Sequence, residues 1–98
     1  MPDRRFPDSA QVVVAADVVA SDFGDELVIL SLRDGVYYGL EDVGARVWQL
    51  VQQPVSVPRI YETIAAEYDV EPDRCERDIG ALLAELADSG LLEIREGA

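Results

Sequence analysis

The sequence predicts a single α+β domain, in which a three-stranded antiparallel sheet comes first and three helices follow. Three observations support this fold class. Short runs rich in valine and leucine fill much of the first 40 residues. An Asp-Gly pair at 34–35 separates two of these runs, and such pairs favour the tight turn of a hairpin. After residue 42, apolar residues recur at helical spacing.

Length and composition limit the possible functions. The chain has 98 residues and is 49% hydrophobic, which suits one domain with one modest core. Its formal net charge of -12 argues against nucleic-acid binding, because phosphate backbones repel such a surface. Histidine is absent and Cys75 is the only cysteine, which argues against metal sites and internal disulfides. No apolar run is long enough for a membrane span and no signal peptide is apparent, so we expect a cytoplasmic protein.

The strands are predicted from the N-terminus onward. Residues 1–10 are polar and contain prolines, so we expect a flexible N-terminal arm before a domain spanning residues 11–98. Strand-forming runs follow at 11–19, 26–32 and 36–40. A two-residue turn at 34–35 would place Leu32 opposite Tyr37. Both faces of that hairpin are then largely apolar, so neither face is expected to be fully solvent-exposed.

The helices are predicted from their capping residues. Asp42 is a candidate N-cap for a first helix, and Pro54 stops that helix. Ser56 is a candidate N-cap for the second helix, and Gly90 suits the C′ position after the third. The apolar residues of the third helix repeat at helical spacing: Cys75, Ile79, Leu82, Leu83 and Leu86. With its sheet placed first, this arrangement is winged helix-turn-helix-like.

The third helix is too acidic to read DNA. A groove-reading helix carries arginine and lysine toward phosphates and base edges. This helix instead has more acidic than basic residues: Asp73, Glu76, Asp78, Glu85 and Asp88 against Arg74 and Arg77. Acidic residues at helix starts are explained by capping and by the helix dipole, so they do not indicate catalysis. We therefore expect neither an enzyme nor a DNA-binding protein.

The run from Val36 to Leu40 is the most informative feature of the sequence. If the strands pair in sequence order, this strand lies at the sheet edge. Edge strands are usually protected by charge or proline, and this one has neither. It is therefore either covered by another part of the chain or available to pair with a partner strand.

The motifs around this strand resemble the PqqD-like family. The resemblance lies in residues 34–50, with the hairpin followed by Val-Gly-Ala and Trp-x-Leu, and in residues 77–92, which end in Gly-Leu-Leu. The family's members are peptide chaperones, or recognition elements for the precursors of ribosomally made peptide natural products. The resemblance implies three strands followed by three helices, with no catalytic residues, cofactor or metal.

The resemblance also implies a binding site. In such proteins the leader segment of a precursor peptide adds as a strand beside the third strand, in a groove bordered by the third helix. The corresponding residues of the strand are Val36, Tyr37, Tyr38, Gly39 and Leu40. Those of the helix are Arg74, Cys75, Asp78, Ile79 and Leu82. Many relatives have Asn at the position of Glu41, so the geometry of that corner can differ here.

The partners follow from the same resemblance. The chain looks most like the lasso-peptide version, whose partners are the precursor leader peptide, a leader peptidase and a cyclase. The alternative is the quinone-cofactor (PQQ) version, which presents its precursor to a radical SAM enzyme. A structural domain that forms a homodimer through the same edge is a further alternative.

Overall fold

The computed structural model describes residues 9–24 and 26–96 of the chain. Within these residues it has six strands and three helices. The strands are β1 (Ala10–Val14), β2 (Val18–Asp22), β3 (Glu26–Ser31), β4 (Tyr37–Glu41), β5 (Val55–Ser56) and β6 (Leu92–Glu96). The helices are α1 (Val43–Leu50), α2 (Val57–Tyr68) and α3 (Pro72–Asp88). Most of the predicted N-terminal arm lies outside the described residues, and Ala10, placed at its end, is the first residue of β1.

The strands form two antiparallel sheets. The predicted three-stranded sheet is confirmed as the meander β2-β3-β4. A second sheet, which the sequence did not reveal, has the order β5-β1-β6. The valine-rich run at 11–19 is therefore two strands, interrupted by a turn at Ala16 and Asp17, and each strand belongs to a different sheet.

Strand β1 brings distant parts of the chain together. It pairs with β5 on one side and with the C-terminal β6 on the other. Beyond the strand pairing, the backbone N–H of Val14 donates to the Val51 carbonyl at 3.0 Å, and that of Ala15 donates to the Leu91 carbonyl at 3.0 Å. Residues near the start, middle and end of the chain are thus joined through one strand.

The hairpin between β3 and β4 differs from the prediction by two residues. Tyr37 pairs with Leu30, not with Leu32. A two-residue type I′ turn would require positive φ at both Asp34 and Gly35, but only Gly35 adopts it, with φ 71°. Asp34 instead accepts a hydrogen bond from the Val36 N–H at 3.1 Å, which favours a longer loop. Because the shift is two residues, the predicted division of side chains between the two faces is unchanged.

Three capping predictions have different outcomes. The Ser56 side chain accepts from the Arg59 N–H at 3.3 Å, as expected for the N-cap of α2. Gly90 follows the C-cap of α3 with φ 79°, as expected for a C′ glycine. Asp42 occupies the N-cap position of α1, but its side chain makes no capping hydrogen bond and its φ is 53°. The predicted N-cap position of Asp42 is therefore confirmed, but its side chain does not cap the helix.

The core lies between the sheets and the helices. Its fully buried side chains come from all three helices, from β1 and β3, and from the residues that follow α1 and precede β6. They include Val12, Ile29, Val47, Val51, Val57, Ile60, Ile64, Leu83 and Leu91. The core residues of α3 keep the predicted spacing, with Cys75, Ile79, Leu83 and Leu86 buried.

Candidate functional site

Strand β4 lies at the edge of the meander. It pairs with β3 on one side, and within the described residues no strand pairs with its other side. The Ser31 N–H donates to the Val36 carbonyl at 3.0 Å, so Ser31 and Val36 form a hydrogen-bonded pair of the hairpin. In an antiparallel ladder, alternate residues direct their N–H and C=O groups toward the neighbouring strand. Val36, Tyr38 and Leu40 therefore face β3, and Tyr37 and Gly39 direct their backbone groups toward the free edge.

The side chains of β4 alternate between the two faces of the sheet. Tyr38 and Leu40 are half-buried and pack against the core. Tyr37 lies on the opposite, outer face and is 67% exposed. Gly39 shares this outer face, where the Oε2 of Glu26 lies 3.1 Å from the position that a Cβ on Gly39 would occupy. The edge thus has an apolar inner side and an accessible backbone.

Three of the five predicted residues on α3 have accessible surface. Arg74 and Asp78 are exposed, and the Nε of Arg74 lies 3.4 Å from the Oδ2 of Asp78. An exposed pair of this kind contributes little to stability, so both charges are available to a partner. Leu82 is half-buried and packs at the margin of the core.

The other two predicted helix residues belong to the core. Cys75 is 2% exposed and Ile79 is 5% exposed. The Sγ of Cys75 donates to the Tyr61 carbonyl of α2 at 3.4 Å. Burial, followed by the nearby Asp78 and Glu76 carboxylates, raises the pKa of the Cys75 thiol. The thiol therefore remains protonated at neutral pH, and neither side chain offers surface to a peptide.

Sequence reasoning missed part of the exposed surface of the meander. Val19, Leu30 and Tyr37 are aligned across the three strands on the outer face. Val19 is 48% exposed, and the adjoining loop residue Leu32 is 61% exposed. The apolar alternation of the hairpin indicated such a face, but Val19 was missed because β2 was not separated from β1.

The hairpin loop reaches the end of α3. The Nη2 of Arg33 lies 3.3 Å from the position that a Cβ on Gly90 would occupy. The loop before β4 and the C-terminal end of α3 are therefore neighbours. This contact places one end of β4 close to the helix that was predicted to border the site.

The described residues contain no cluster of three or more histidine, cysteine, aspartate or glutamate side chains suited to a metal ion. No helix in the same part of the chain is long and apolar enough to cross a membrane.

The fold and the open edge define an α+β domain of the winged-helix type with one unpaired strand edge. The family model for Coenzyme PQQ synthesis protein D (PqqD) matches residues 26–92. The chain therefore belongs to the PqqD family. No curated protein matches the chain.

Three solved structures are similar to the chain. The structure described as TbiB1 in complex with the TbiA(beta) leader peptide is 38% identical with a TM-score of 0.78, and the match covers 83% of this chain and 94% of that one. Lasso peptide synthetase B1 complexed with the leader peptide is 27% identical with a TM-score of 0.74, covering 84% and 96%. The PqqD truncation of Methylobacterium extorquens PqqCD, described as a functional and stand-alone RiPP recognition element, is 26% identical with a TM-score of 0.73, covering 95% and 99%.

Proposed function

We propose that this protein binds the leader segment of a ribosomally made precursor peptide as an additional strand beside β4. The observation that supports this most directly is the open backbone edge of β4, where Tyr37 and Gly39 direct hydrogen-bonding groups away from β3. Two of the similar structures hold a leader peptide. Strand addition satisfies these backbone groups whatever the side chains of the leader are.

Specificity would come from the space between β4 and α3. Tyr38, Leu40 and Leu82 are half-buried and would offer apolar surface there. An added strand directs every second side chain to this inner face, where apolar leader residues would be buried. Arg74 and Asp78 are exposed on α3 and can select charged leader residues at the rim. Cys75 and Ile79 would support this surface from within the core.

The protein would act as an adaptor with no catalytic residues of its own. Holding the leader keeps the remainder of the precursor at a high effective concentration near an enzyme that binds it weakly. We propose a lasso-peptide precursor, with a leader peptidase and a cyclase as the enzymes, acting in the cytoplasm. The support is the similarity to lasso peptide synthetase B1 and to TbiB1, each in complex with a leader peptide.

The second candidate is the PQQ-type chaperone, which would present its precursor to a radical SAM enzyme. The family match and the similarity to the Methylobacterium extorquens protein favour it. The two candidates share the leader-binding mode and differ in the enzyme. Binding of the leader-loaded protein to a purified leader peptidase, and not to a radical SAM enzyme, would distinguish them.

Substitution of Gly39 tests the binding mode. Gly39→Pro removes an outward N–H while leaving the hydrogen bonds between β4 and β3 intact, a position where proline is tolerated. Loss of one donor to a bound strand costs about 1–3 kcal/mol, so leader affinity should fall by about fivefold or more. The measurement is a titration of a fluorescent leader peptide into purified protein.

Gly39→Ala is the matched control. It retains the N–H, and its methyl group meets only the flexible carboxylate of Glu26, so its leader affinity should remain close to that of the wild type. Circular dichroism would verify that both variants are folded. Unchanged affinity in a folded Gly39→Pro variant would exclude strand addition at this edge.

A further inference from the structure

A groove between α2 and α3 is not used by the proposed leader site. Its volume is about 620 Å³. Its apolar lining comprises Pro58, Tyr61, Ala65, Ala66, Val70 and Pro72. Two carboxylates, Glu62 on α2 and Glu76 on α3, also line it. A groove of this size can take several side chains of a peptide segment.

The turn between the helices shapes this groove. α2 ends at Tyr68, and the next residue, Asp69, reverses the chain through its left-handed backbone conformation (φ 53°, ψ 48°). α3 begins at Pro72. Further along α3, Gly80 has no side chain, and the Tyr61 hydroxyl lies 3.1 Å from the position that its Cβ would occupy. Tyr61 therefore spans from α2 to α3 and forms one wall of the groove.

We propose that this groove binds the leader peptidase, through a segment of that enzyme with apolar side chains flanked by arginine or lysine. The inference rests on the proposed adaptor function. Two carboxylates and no cation line the apolar groove of a protein whose net charge is -12. Basic residues beside an apolar anchor complement this lining, whereas an acidic segment would be repelled. The peptidase is the enzyme chosen because it must act close to the bound leader.

The groove and the leader site lie on different sides of α3. Each residue of an α-helix is rotated by about 100° from the one before it. Glu76, in the groove, and Asp78, on the predicted leader side, are therefore separated by about 200° around the helix axis. The leader and the enzyme can thus contact the same helix at the same time without overlapping.

Charge reversal at Glu62 and Glu76 tests the proposal. The probe is the purified leader peptidase encoded with the precursor, and its binding to the full chain is measured with and without leader. Glu62→Arg with Glu76→Arg should lower peptidase affinity by about tenfold or more, because like charges would then face each other. Leader affinity should not change. A second variant, Ala66→Arg, adds a bulky cation to the apolar lining at an exposed position and should have the same effect, because it would repel the basic residues of the partner.

The control makes the same change in net charge elsewhere. Asp17→Arg with Asp88→Arg alters two exposed residues outside the groove and should leave peptidase affinity unchanged. Equal losses in the control and the groove variant would show a nonspecific charge effect and overturn the proposal. The proposal would also be overturned if the groove variants bound the peptidase as tightly as the wild-type protein does. It would likewise be overturned if the groove substitutions changed only the self-association of this protein, measured by sedimentation. Failure of the wild-type protein to bind leader would instead refute the proposed function, which the separate leader titration measures.

Discussion

The two sheets of this small protein are built in opposite ways. The sheet β5-β1-β6 combines strands that are far apart in the sequence, and its central strand is buried, with Ala10 and Val12 both 0% exposed. The sheet β2-β3-β4 is a continuous meander, with a fully buried Ile29 at its centre and Val19 and Tyr37 exposed on its outer face.

The difference assigns stability mainly to the first sheet and leaves the second sheet free for binding. In the first sheet both sides of β1 are paired, so its backbone groups are satisfied within the chain. In the second sheet the free side of β4 has unpaired backbone groups, which are a liability unless a partner uses them. Because the first sheet joins the two ends of the domain, the second can keep an open edge without loss of the fold.

Two valines test this comparison most strongly. Val12 in β1 is 0% exposed and Val19 in β2 is 48% exposed. Val→Thr keeps the β-branched shape and replaces one methyl group with a hydroxyl. At Val12 the hydroxyl is buried, so we expect Val12→Thr to lower the free energy of unfolding by about 2 kcal/mol. Val19→Thr, at an exposed position, should stay within about 0.5 kcal/mol of the wild type.

Urea denaturation of both variants provides the measurement. Their unfolding midpoints should differ while the slopes remain alike, because the surface exposed on unfolding is similar. Similar losses of stability in both variants would mean that the meander contributes as much to stability as the buried sheet, and the comparison would fail.

The junctions that follow the two sheets should respond in opposite directions. Ser56, the last residue of β5, caps α2 through its side chain, so Ser56→Ala should cost about 1 kcal/mol. Asp42, after β4, has φ 53° and makes no capping hydrogen bond. Asp42→Gly should therefore stabilise the protein by about 1 kcal/mol, since glycine tolerates positive φ. Thermal unfolding of both variants tests this pair.

Asp42→Ala serves as the control for the second junction. It retains the backbone constraint and removes no capping bond, so its stability should lie within about 0.5 kcal/mol of the wild type. A large loss in this variant would show that the carboxylate of Asp42 does contribute to the start of α1. A gain in Asp42→Gly alone would place backbone strain directly beside the proposed binding strand.

Local signals explain which parts of the fold could be predicted. Ser56 and Gly90 act on backbone groups within a few residues, so their roles can be inferred from sequence. The pairing of β1 with β6 joins residues at opposite ends of the domain, and no local pattern specifies it. The hairpin register was missed because the Asp34 side chain accepts a hydrogen bond from the backbone, so a longer loop replaces the type I′ turn.

For the candidate site, the sequence indicated the edge strand more clearly than the surface of α3. The edge strand was apparent because its apolar run contains neither charge nor proline. Cys75 and Ile79 were assigned to the binding wall by resemblance, yet they repeat with Leu83 and Leu86 at helical spacing, which already indicated the core. Periodicity identifies the buried side of a helix better than positional resemblance does, because burial repeats every three to four residues.

The smallest expected effect concerns the ion pair that joins α1 to α2, the helices that follow the two junctions. Arg46 of α1 donates two hydrogen bonds of 2.8 Å to the Glu67 carboxylate of α2. This hydrogen bonding holds the pKa of Glu67 below its ordinary value of 4.5. A lowered pKa stabilises the fold above the ordinary value, and this contribution is lost as the pH falls through the lowered pKa. Glu67→Gln should thus cost a little stability at pH 7, less in high salt, and nothing in acid well below pH 4.5, as urea titrations at each condition would measure. A loss that persists in acid would mean that Glu67 acts through packing, and that the helices after the two sheets are joined by contacts other than this ion pair.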